Sequence, residues 1–340
     1  MSQISKNRNA TINDVARMAS VSSATVSRVI NRTAVVNPQT LEKVQKAIVA
    51  LHYVPSSAAQ SLAGKKNNTI GLIVPGISEV FFVPLLRGIE MAAALAGYNL
   101  LIHTTHFQHQ NQGYKTLGDH NTDGLLVFSD SLNHEELHYL TQSNFPCVLI
   151  YQNPPDDIPL PSINIDNKNG ARQIVEHLIQ VHQRRNIVFL RGPQNTHDSI
   201  QREQGYRQAL QQNGLPYDEQ LIARGDFLFE VAADSIRNLI HKGIEFDAVF
   251  SADDGSAFGA FAALKETGVC VPEDVSLVGF DDVYFAAHFS PPLTTVQAPT
   301  EAVGKLAVET LIQRMNGKEV QQNILLPTRL MLRHSCGCKQ

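Results

Sequence analysis

The sequence predicts a small all-α head followed by a two-lobed α/β body made of two parallel-sheet sandwiches. Three observations carry that prediction. A chain of 340 residues exceeds one ordinary domain and fits two or three folding units. Three short helical periodicities follow one another between residues 10 and 52. From Thr69 onward, short apolar runs alternate with amphipathic ones in two successive series.

The first helix opens with a capping-box arrangement, Thr11 followed three positions on by Asp14 in the place usually taken by Glu. Ile12, Val15, Ala16 and Ala19 form its apolar stripe. Ser20-Val21-Ser22 is a tight connection whose valine plugs the space between two helices. Ser22 is the expected N-cap of the second helix, in which Val26, Val29 and Ile30 point inward. That leaves Ser23, Ala24, Thr25, Ser27, Arg28 and Asn31 facing outward. The third helix opens with Asn37 as cap and Pro38 as its first residue, and turns Leu41, Val44, Ala47, Ile48 and Leu51 toward the core. Helix, short turn, helix with a small polar outer face is the logic of a helix-turn-helix. Small side chains let the backbone sit deep in a major groove, and a few donors then reach base edges and phosphates. A plain three-helix bundle has the same periodicity, so pattern alone leaves both readings open.

Charge favours the first, although a merely solvated basic surface has the same balance. Residues 1–66 carry nine Lys and Arg against two Asp and Glu, whereas the rest of the chain carries nineteen against thirty. The net formal charge of −4 hides a basic head on an acidic body, the signature of one segment targeted to a polyanion. The polar start, without an apolar h-region, opposes secretion, and no run approaches the roughly 18 apolar residues of a membrane span. A cytoplasmic, nucleoid-associated protein is expected. Cys147, Cys270, Cys336 and Cys338 do not form a disulfide framework.

Pro55 stops the third helix, because proline bars the preceding residue from helical geometry. Ser56 to Ala63 is an alanine-rich helix candidate closed by Gly64, too short to be stable alone. It is either a plain linker or a helix that folds only against something else. In the body, Ile70–Val74, Leu100–Ile102, Gly124–Phe128 and Val148–Ile150 read as one series of strands, and Ile187–Leu190, Ala248–Phe250 and Ser276–Gly279 as a second. Short buried strands alternating with helices argue for parallel sheets covered on both faces, with ligands bound beyond the carboxyl ends of the strands.

Residues 11–31, Thr-Ile-Asn-Asp-Val-Ala-Arg-Met-Ala-Ser-Val-Ser-Ser-Ala-Thr-Val-Ser-Arg-Val-Ile-Asn, resemble the DNA-binding signature of the lactose-repressor/galactose-repressor family, and the likeness continues over essentially the whole chain. The resemblance implies a periplasmic-binding-protein-like body and a division into a head at 10–52, a hinge helix and linker at 53–68, and an effector-binding and dimerisation domain at 69–335. Within the last, it implies an N-lobe of about 69–164 and 293–320 and a C-lobe of about 165–292 and 321–335. By the same resemblance Ser23 and Ala24 select operator bases, with Thr25 and Arg28 completing the base-facing surface. Thr11, Ser22, Ser27, Asn31 and Asn37 then hold phosphates. Because Ser23 and Ala24 are both small, specificity is expected to lean on Arg28, on apolar contact and on DNA shape. The hinge is implied to pair with its dimer mate in the minor groove, Leu62 wedging between base pairs with Ser56, Ala58, Ala59 and Ala63 around it.

For the body the resemblance implies an effector pocket. Gly76-Ile77-Ser78-Glu79-Val80-Phe81-Phe82 is similar to the family's Asp-Ile-Ser-Asn-Pro-Phe-Phe, departing from it at Glu79-Val80, and supplies Ser78, Phe81 and Phe82. Arg202 grips the ligand, Phe227 stacks on it, and Asp281 accepts its hydroxyls. Asp253 stands where many relatives carry asparagine, and Tyr151 is a further pocket position. Carboxylates and an arginine on one rim with aromatic faces opposite suit a polyol. The expected protein is a repressor of a carbohydrate-utilisation operon, controlled by a small sugar or sugar derivative and binding pseudo-palindromic double-stranded DNA as a homodimer. No leucine heptad follows residue 335, which favours a dimer over a tetramer.

Other readings compete. A purine or nucleoside effector fits the same fold, and a solute-binding transport protein shares the two-lobed body but not the head. A carbohydrate-active enzyme needs facing carboxylates, whereas Asp253/Asp254 and Asp281/Asp282 are sequence neighbours whose side chains diverge. No cofactor and no metal is expected. His103, His106 and His109 recur without nearby carboxylate or thiol partners, and His334, Cys336 and Cys338 read as half a site on a frayed tail.

Overall fold

The computed structural model describes residues 10–31, 34–53, 66–105 and 117–339, and the chain divides into two compact units, Met1–Asn67 and Asn68–Gln340. The expected hinge contacts Ser56, Ala58, Ala59, Leu62 and Ala63 lie outside the described residues, as do His106 and His109.

The first unit holds α1 (Ile12–Ala19), α2 (Ser23–Asn31) and α3 (Pro38–Ala50). Its core is made of Val15, Ala16, Ala19, Val26, Val29, Val44 and Ala47, with Val21 and Ile30 packed against it. Val21 thus fills the corner between α1 and α2, while Ser20 makes the turn in a left-handed conformation at φ 57°. Leu41, expected inside, is exposed, because α3 meets the bundle through the stripe of Val44 and Ala47 that begins one turn later.

In the second unit the apolar runs become strands. β1 (Thr69–Val74), β2 (Asn99–Thr104), β3 (Gly124–Phe128), β4 (Cys147–Ile150) and β5 (Ser162–Ile165) form a parallel sheet, and β6 (Ile187–Arg191), β7 (Ile222–Arg224), β8 (Ala248–Ser251) and β9 (Ser276–Val278) form another. A short antiparallel pair, β10 (Thr295–Gln297) and β12 (Arg329–Met331), accompanies them. β11 (Asn323–Leu326) pairs with β5, so the first sheet runs β11-β5-β4-β3-β1-β2 and the second β7-β6-β8-β9. The head and the two-lobed parallel-sheet body are therefore as the sequence predicts. The division at 321 is not: residues 323–326 complete the first sheet, and only the segment after β12 returns to the second, where Leu277 N–H donates to Ser335 O at 2.8 Å.

Helices cover both sheets. α4 (Phe82–Leu95) packs on α10 (Thr300–Met315), α6 (Asn167–Gln180) on α7 (His197–Gln212), and α8 (Phe229–His241) on α9 (Asp254–Glu266); α5 (His134–Gln142) carries buried Leu137 and Leu140. The chain crosses between the sheets three times, after β5, after β9 and after β11. At the crossings Asp166 N–H donates to Leu326 O at 2.9 Å and Asp281 N–H to Val296 O at 2.7 Å, so the passing segments are hydrogen-bonded to one another.

The α4–α10 contact is backbone-close. A Cβ on Gly88 would lie 2.1 Å from the Glu301 carbonyl oxygen, and one on Gly304 would lie 2.4 Å from that of Leu85. Gly88→Ala should therefore push the helices apart and cost about 1–3 kcal/mol, as overpacked sites do. Urea unfolding of the two proteins checks this, and an unchanged midpoint would show that the helices are not held at this separation.

Candidate functional site

The polar residues of the head divide between capping and exposure. Thr11 N–H donates to Asp14 Oδ2 at 2.9 Å, and Asp14 N–H donates back to Thr11 Oγ1 at 3.4 Å, closing the capping box. Ser22 Oγ accepts the Thr25 N–H at 3.1 Å, and Asn37 Oδ1 accepts that of Gln39 at 2.9 Å. Ser23, Ala24 and Arg28 are exposed on α2, Thr25 and Ser27 are half-buried, and Asn31 ends the helix. The outer face of α2 is thus small at its N-terminal end with one arginine near its other end, opposite buried Val26 and Val29.

In the body, a cavity of about 800 Å³ opens at the carboxyl ends of the strands. Phe81, Phe82 and Phe128 line it on one side, while Asp198, Arg202, Phe227, Asp253 and Asp281 line it on the other. Arg202 organises the polar side. Its Nε donates to Asn167 Oδ1 at 2.8 Å, one terminal nitrogen donates to the Ala252 carbonyl, and the other donates to Asp281 Oδ1 at 3.1 Å and lies 4.0 Å from Asp198 Oδ2. Asn167 Nδ2 donates in turn to Asp198 Oδ1 at 2.8 Å. The guanidinium lies over the Phe280 ring, 3.8 Å from its centroid. With its donors so committed, Arg202 holds the acceptors Asp281 and Asp198 in place more than it offers a free donor of its own.

Several buried carboxylates share this one guanidinium. Burial pushes the Asp281 carboxyl up to about 7, against the pull of Arg202 and aided by Asp253 and Asp198. Burial likewise raises Asp198 and Asp253, and raises Asp254 strongly, with Asp281 adding to the last. Such a rim gathers several carboxyl groups around one guanidinium, which suits a ligand that brings hydroxyls. Adjacent aspartates do different work. Asp253 caps α9 through the Ser256 N–H at 3.3 Å, whereas Asp254 is turned away to accept from Thr295 Oγ1 at 2.6 Å and from the Val283 N–H at 2.9 Å. Asp282 pairs with Arg333 at 2.6 Å and accepts from Gln297 Nε2 at 3.0 Å. Neither aspartate pair presents two carboxylates across one bond.

Of the eight residues predicted for the pocket, Phe81, Phe82, Arg202, Phe227, Asp253 and Asp281 line the cavity. Two do not. Ser78 is exposed on the loop after β1, and it is the next residue, Glu79, that lines the cavity just before α4. Tyr151 is fully buried behind the wall, packed edge-on against Phe81 at 5.5 Å, its hydroxyl donating to Thr300 Oγ1 at 3.3 Å. Sequence reasoning missed Asp198 and Asn167, and also Asp130 and Asp226, which line the rim in left-handed backbone at φ 56° and 52°. Phe227 and Asp281 share that region at φ 61° and 108°. Non-glycine residues held there cost stability and gather at binding sites, and four of them border this cavity.

Comparison with known proteins gives a consistent picture. A family model described as bacterial regulatory proteins, lacI family, matches residues 11–56, and one for a periplasmic binding protein-like domain matches residues 175–336. The chain is 35% identical to the HTH-type transcriptional regulator CelR of Thermobifida fusca over 97% of this chain and 99% of that protein. It is 33% identical to catabolite control protein A of Priestia megaterium over 96% and 99%. Among solved structures, the lac repressor dimer bound to operator and an anti-inducer matches at a TM-score of 0.81 and 27% identity, covering 97% and 99% of the two chains. A complex of the transcriptional regulator CelR with cellobiose matches at 0.72 and 33%, covering 96% and 99%.

The raised carboxyls predict a pH dependence. A group whose folded-state value lies above its unfolded one supports the fold while protonated, and that support is lost as pH rises through the folded value. The ligand-free protein should therefore melt at a lower temperature at pH 8 than at pH 5.5, and Asp281→Asn should reduce the difference. Equal melting points for the parent protein, or the same fall in the variant, would contradict the burial assigned to Asp281.

Proposed function

This chain belongs to the lacI family of bacterial regulatory proteins, and from that premise we propose that it is a transcriptional repressor of carbohydrate-utilisation genes, released from or recruited to a pseudo-palindromic operator by a small sugar. The observation that carries the reading is a cavity lined by aromatic rings and guanidinium-held carboxylates, in a chain that also carries a helix-turn-helix with a small, polar, exposed second helix. The hydroxyls of a sugar donate to Asp281, Asp253 and Asp198, and its C–H face packs on Phe81 and Phe227. A cavity of about 800 Å³ is large enough for a sugar of one or two rings. The solved complex of CelR with cellobiose supports that class of ligand.

On DNA, two copies place α2 in successive major grooves, Ser23, Ala24, Thr25 and Arg28 toward bases and Thr11, Ser22, Ser27, Asn31 and Asn37 toward phosphates. Leu62 wedges into the minor groove between them, with Ser56, Ala59 and Ala63 packed around it. Sugar binding shifts the lobes and changes hinge pairing, with a coupling of about 1–3 kcal/mol, sufficient to alter operator occupancy several-fold or more. The protein catalyses no reaction on its ligand. Among the described residues no helix is long and apolar enough to cross a membrane.

The experiment is selection of duplexes by the full-length protein from a random pool, followed by thermal-shift screening of sugars and repetition of operator binding with the best one. Enrichment of a pseudo-palindrome whose binding the sugar changes is expected; no preference over random sequence with or without sugars would sink the reading. Arg28→Ala and Leu62→Ala should each weaken operator binding about tenfold or more, in line with the roughly 1–3 kcal/mol of a base contact. Both should leave sugar binding unchanged by calorimetry. Asp281→Ala should do the reverse, and sugar titration indistinguishable from the parent would mean that the pocket lies elsewhere.

A further inference from the structure

The tail after β12 is not frayed. Ser335 and Cys336 are fully buried: Ser335 Oγ donates to Leu277 O at 2.6 Å, and Ser276 Oγ donates to Cys336 O at 2.7 Å. These bonds lay the tail along β9 and bring Cys336 and Cys338 to the C-terminal end of α6, where His177 occupies the last turn and His182 lies five residues on. The two thiols and two imidazoles, each offering one donor atom, lie within 4.8 Å of one another.

We propose that His177, His182, Cys336 and Cys338 form a tetrahedral zinc site that clasps the tail to the second lobe. Zinc bound by two imidazole nitrogens and two thiolates, with Zn–N of about 2.0–2.1 Å and Zn–S of about 2.3 Å, requires donor separations of about 3.4 Å between nitrogens and about 3.6 Å between nitrogen and sulfur. Here His177 Nε2 and His182 Nε2 are 3.2 Å apart, and the sulfur-to-nitrogen distances are 3.6 Å (Cys336 to His177), 3.5 Å (Cys338 to His177) and 3.4 Å (Cys338 to His182). Four of the six edges of that tetrahedron therefore already stand near their required lengths, and the remaining two donor pairs lie within 4.8 Å, so two distant segments of the chain bring the donor set together. Mixed thiolate and imidazole donors in closed tetrahedral order select zinc over harder ions such as magnesium or calcium.

The surroundings fit. Thr294 Oγ1 lies 3.1 Å from Cys336 Sγ and can donate to it, the outer hydrogen bond that a metal-bound thiolate uses. Gly337, between the two cysteines, has φ +105°, and a Cβ there would lie 3.2 Å from His182 Nδ1; only glycine lets the chain wrap this closely around the ring. On binding, each thiol gives up its proton to solvent and forms a Zn–S bond, with no change of oxidation state. The clasp has a structural consequence for the cavity. Arg333, three residues before Cys336, holds Asp282 beside Asp281, and its backbone N–H donates to Thr294 Oγ1 at 2.8 Å. Zinc thereby anchors the segment that fixes one wall of the effector pocket.

The test uses the full-length protein, purified anaerobically with a thiol-free reductant from zinc-supplemented cells, and metal analysis by mass spectrometry. Zinc equimolar with the chain is expected, and cobalt exchanged into the site should give the visible and near-ultraviolet absorption of tetrahedral thiolate-ligated cobalt. Cys338→Ser and His182→Gln, at partly exposed positions that leave the buried Ser335–Cys336 anchor intact, should each lower zinc content at least tenfold at equal helical circular dichroism. Protein without bound zinc, a Cys336–Cys338 disulfide in the anaerobic preparation, or variants that keep their metal would each overturn the proposal. Because the readout is metal content, the result is independent of whether the protein binds an operator or a sugar.

Discussion

A guanidinium with 2% of its surface exposed must have every donor answered, and that requirement shapes the centre of the body. Arg202 draws its partners from separate parts of the chain: Asn167 at the start of α6, Ala252 after β8, Asp281 after β9 and Asp198 one turn before it on α7. Removing the cation would leave several carboxylates buried against one another without compensation. The aromatic wall is less demanding. Phe81, Phe82, Phe128 and Tyr151 pack edge to face and tilted at centroid distances of 5.2–6.1 Å, arrangements that tolerate small shifts. One wall of the cavity is thus fixed by charge and the other by packing.

Where a strand is an unbroken apolar run, it can be read directly. β1, β3, β4, β6 and β8 all carry such runs and all are buried. β5 is harder to see because Ser162 and Asn164 interrupt it, and both are buried. Their partners are Asn323 and Asn153, and no local pattern announces a pairing across that distance. The pocket behaves in the same way. Residues at strand ends with a recognisable local motif, such as Phe81, Phe227 and Asp281, can be placed. Asp198 and Asn167 gain their meaning only from Arg202. The tail defeats a local reading for a related reason: two thiols near the end of the chain look idle until α6 and the turn after it supply the two imidazoles.

The head shows how little sequence a reading surface demands. Three caps, at Thr11, Ser22 and Asn37, set where each helix starts, and seven small buried side chains set how they pack. Ser23, Ala24 and Arg28 stand exposed on α2, outside that packing. Changes at these exposed positions therefore leave the packing of the head undisturbed. Buried and exposed residues thus divide the same nine-residue helix between packing and surface.

The threefold passage of the chain between the sheets has a bearing on biosynthesis. Neither lobe is a contiguous stretch, since the first sheet lacks its edge strand until residues 323–326 have emerged, and the second lobe awaits the segment after β12. A ribosome delivering the polypeptide from its N-terminus releases the head long before either lobe is whole, because contacts this distant in sequence form last. A nascent regulator would thus own a complete reading head before it owned a complete sensor.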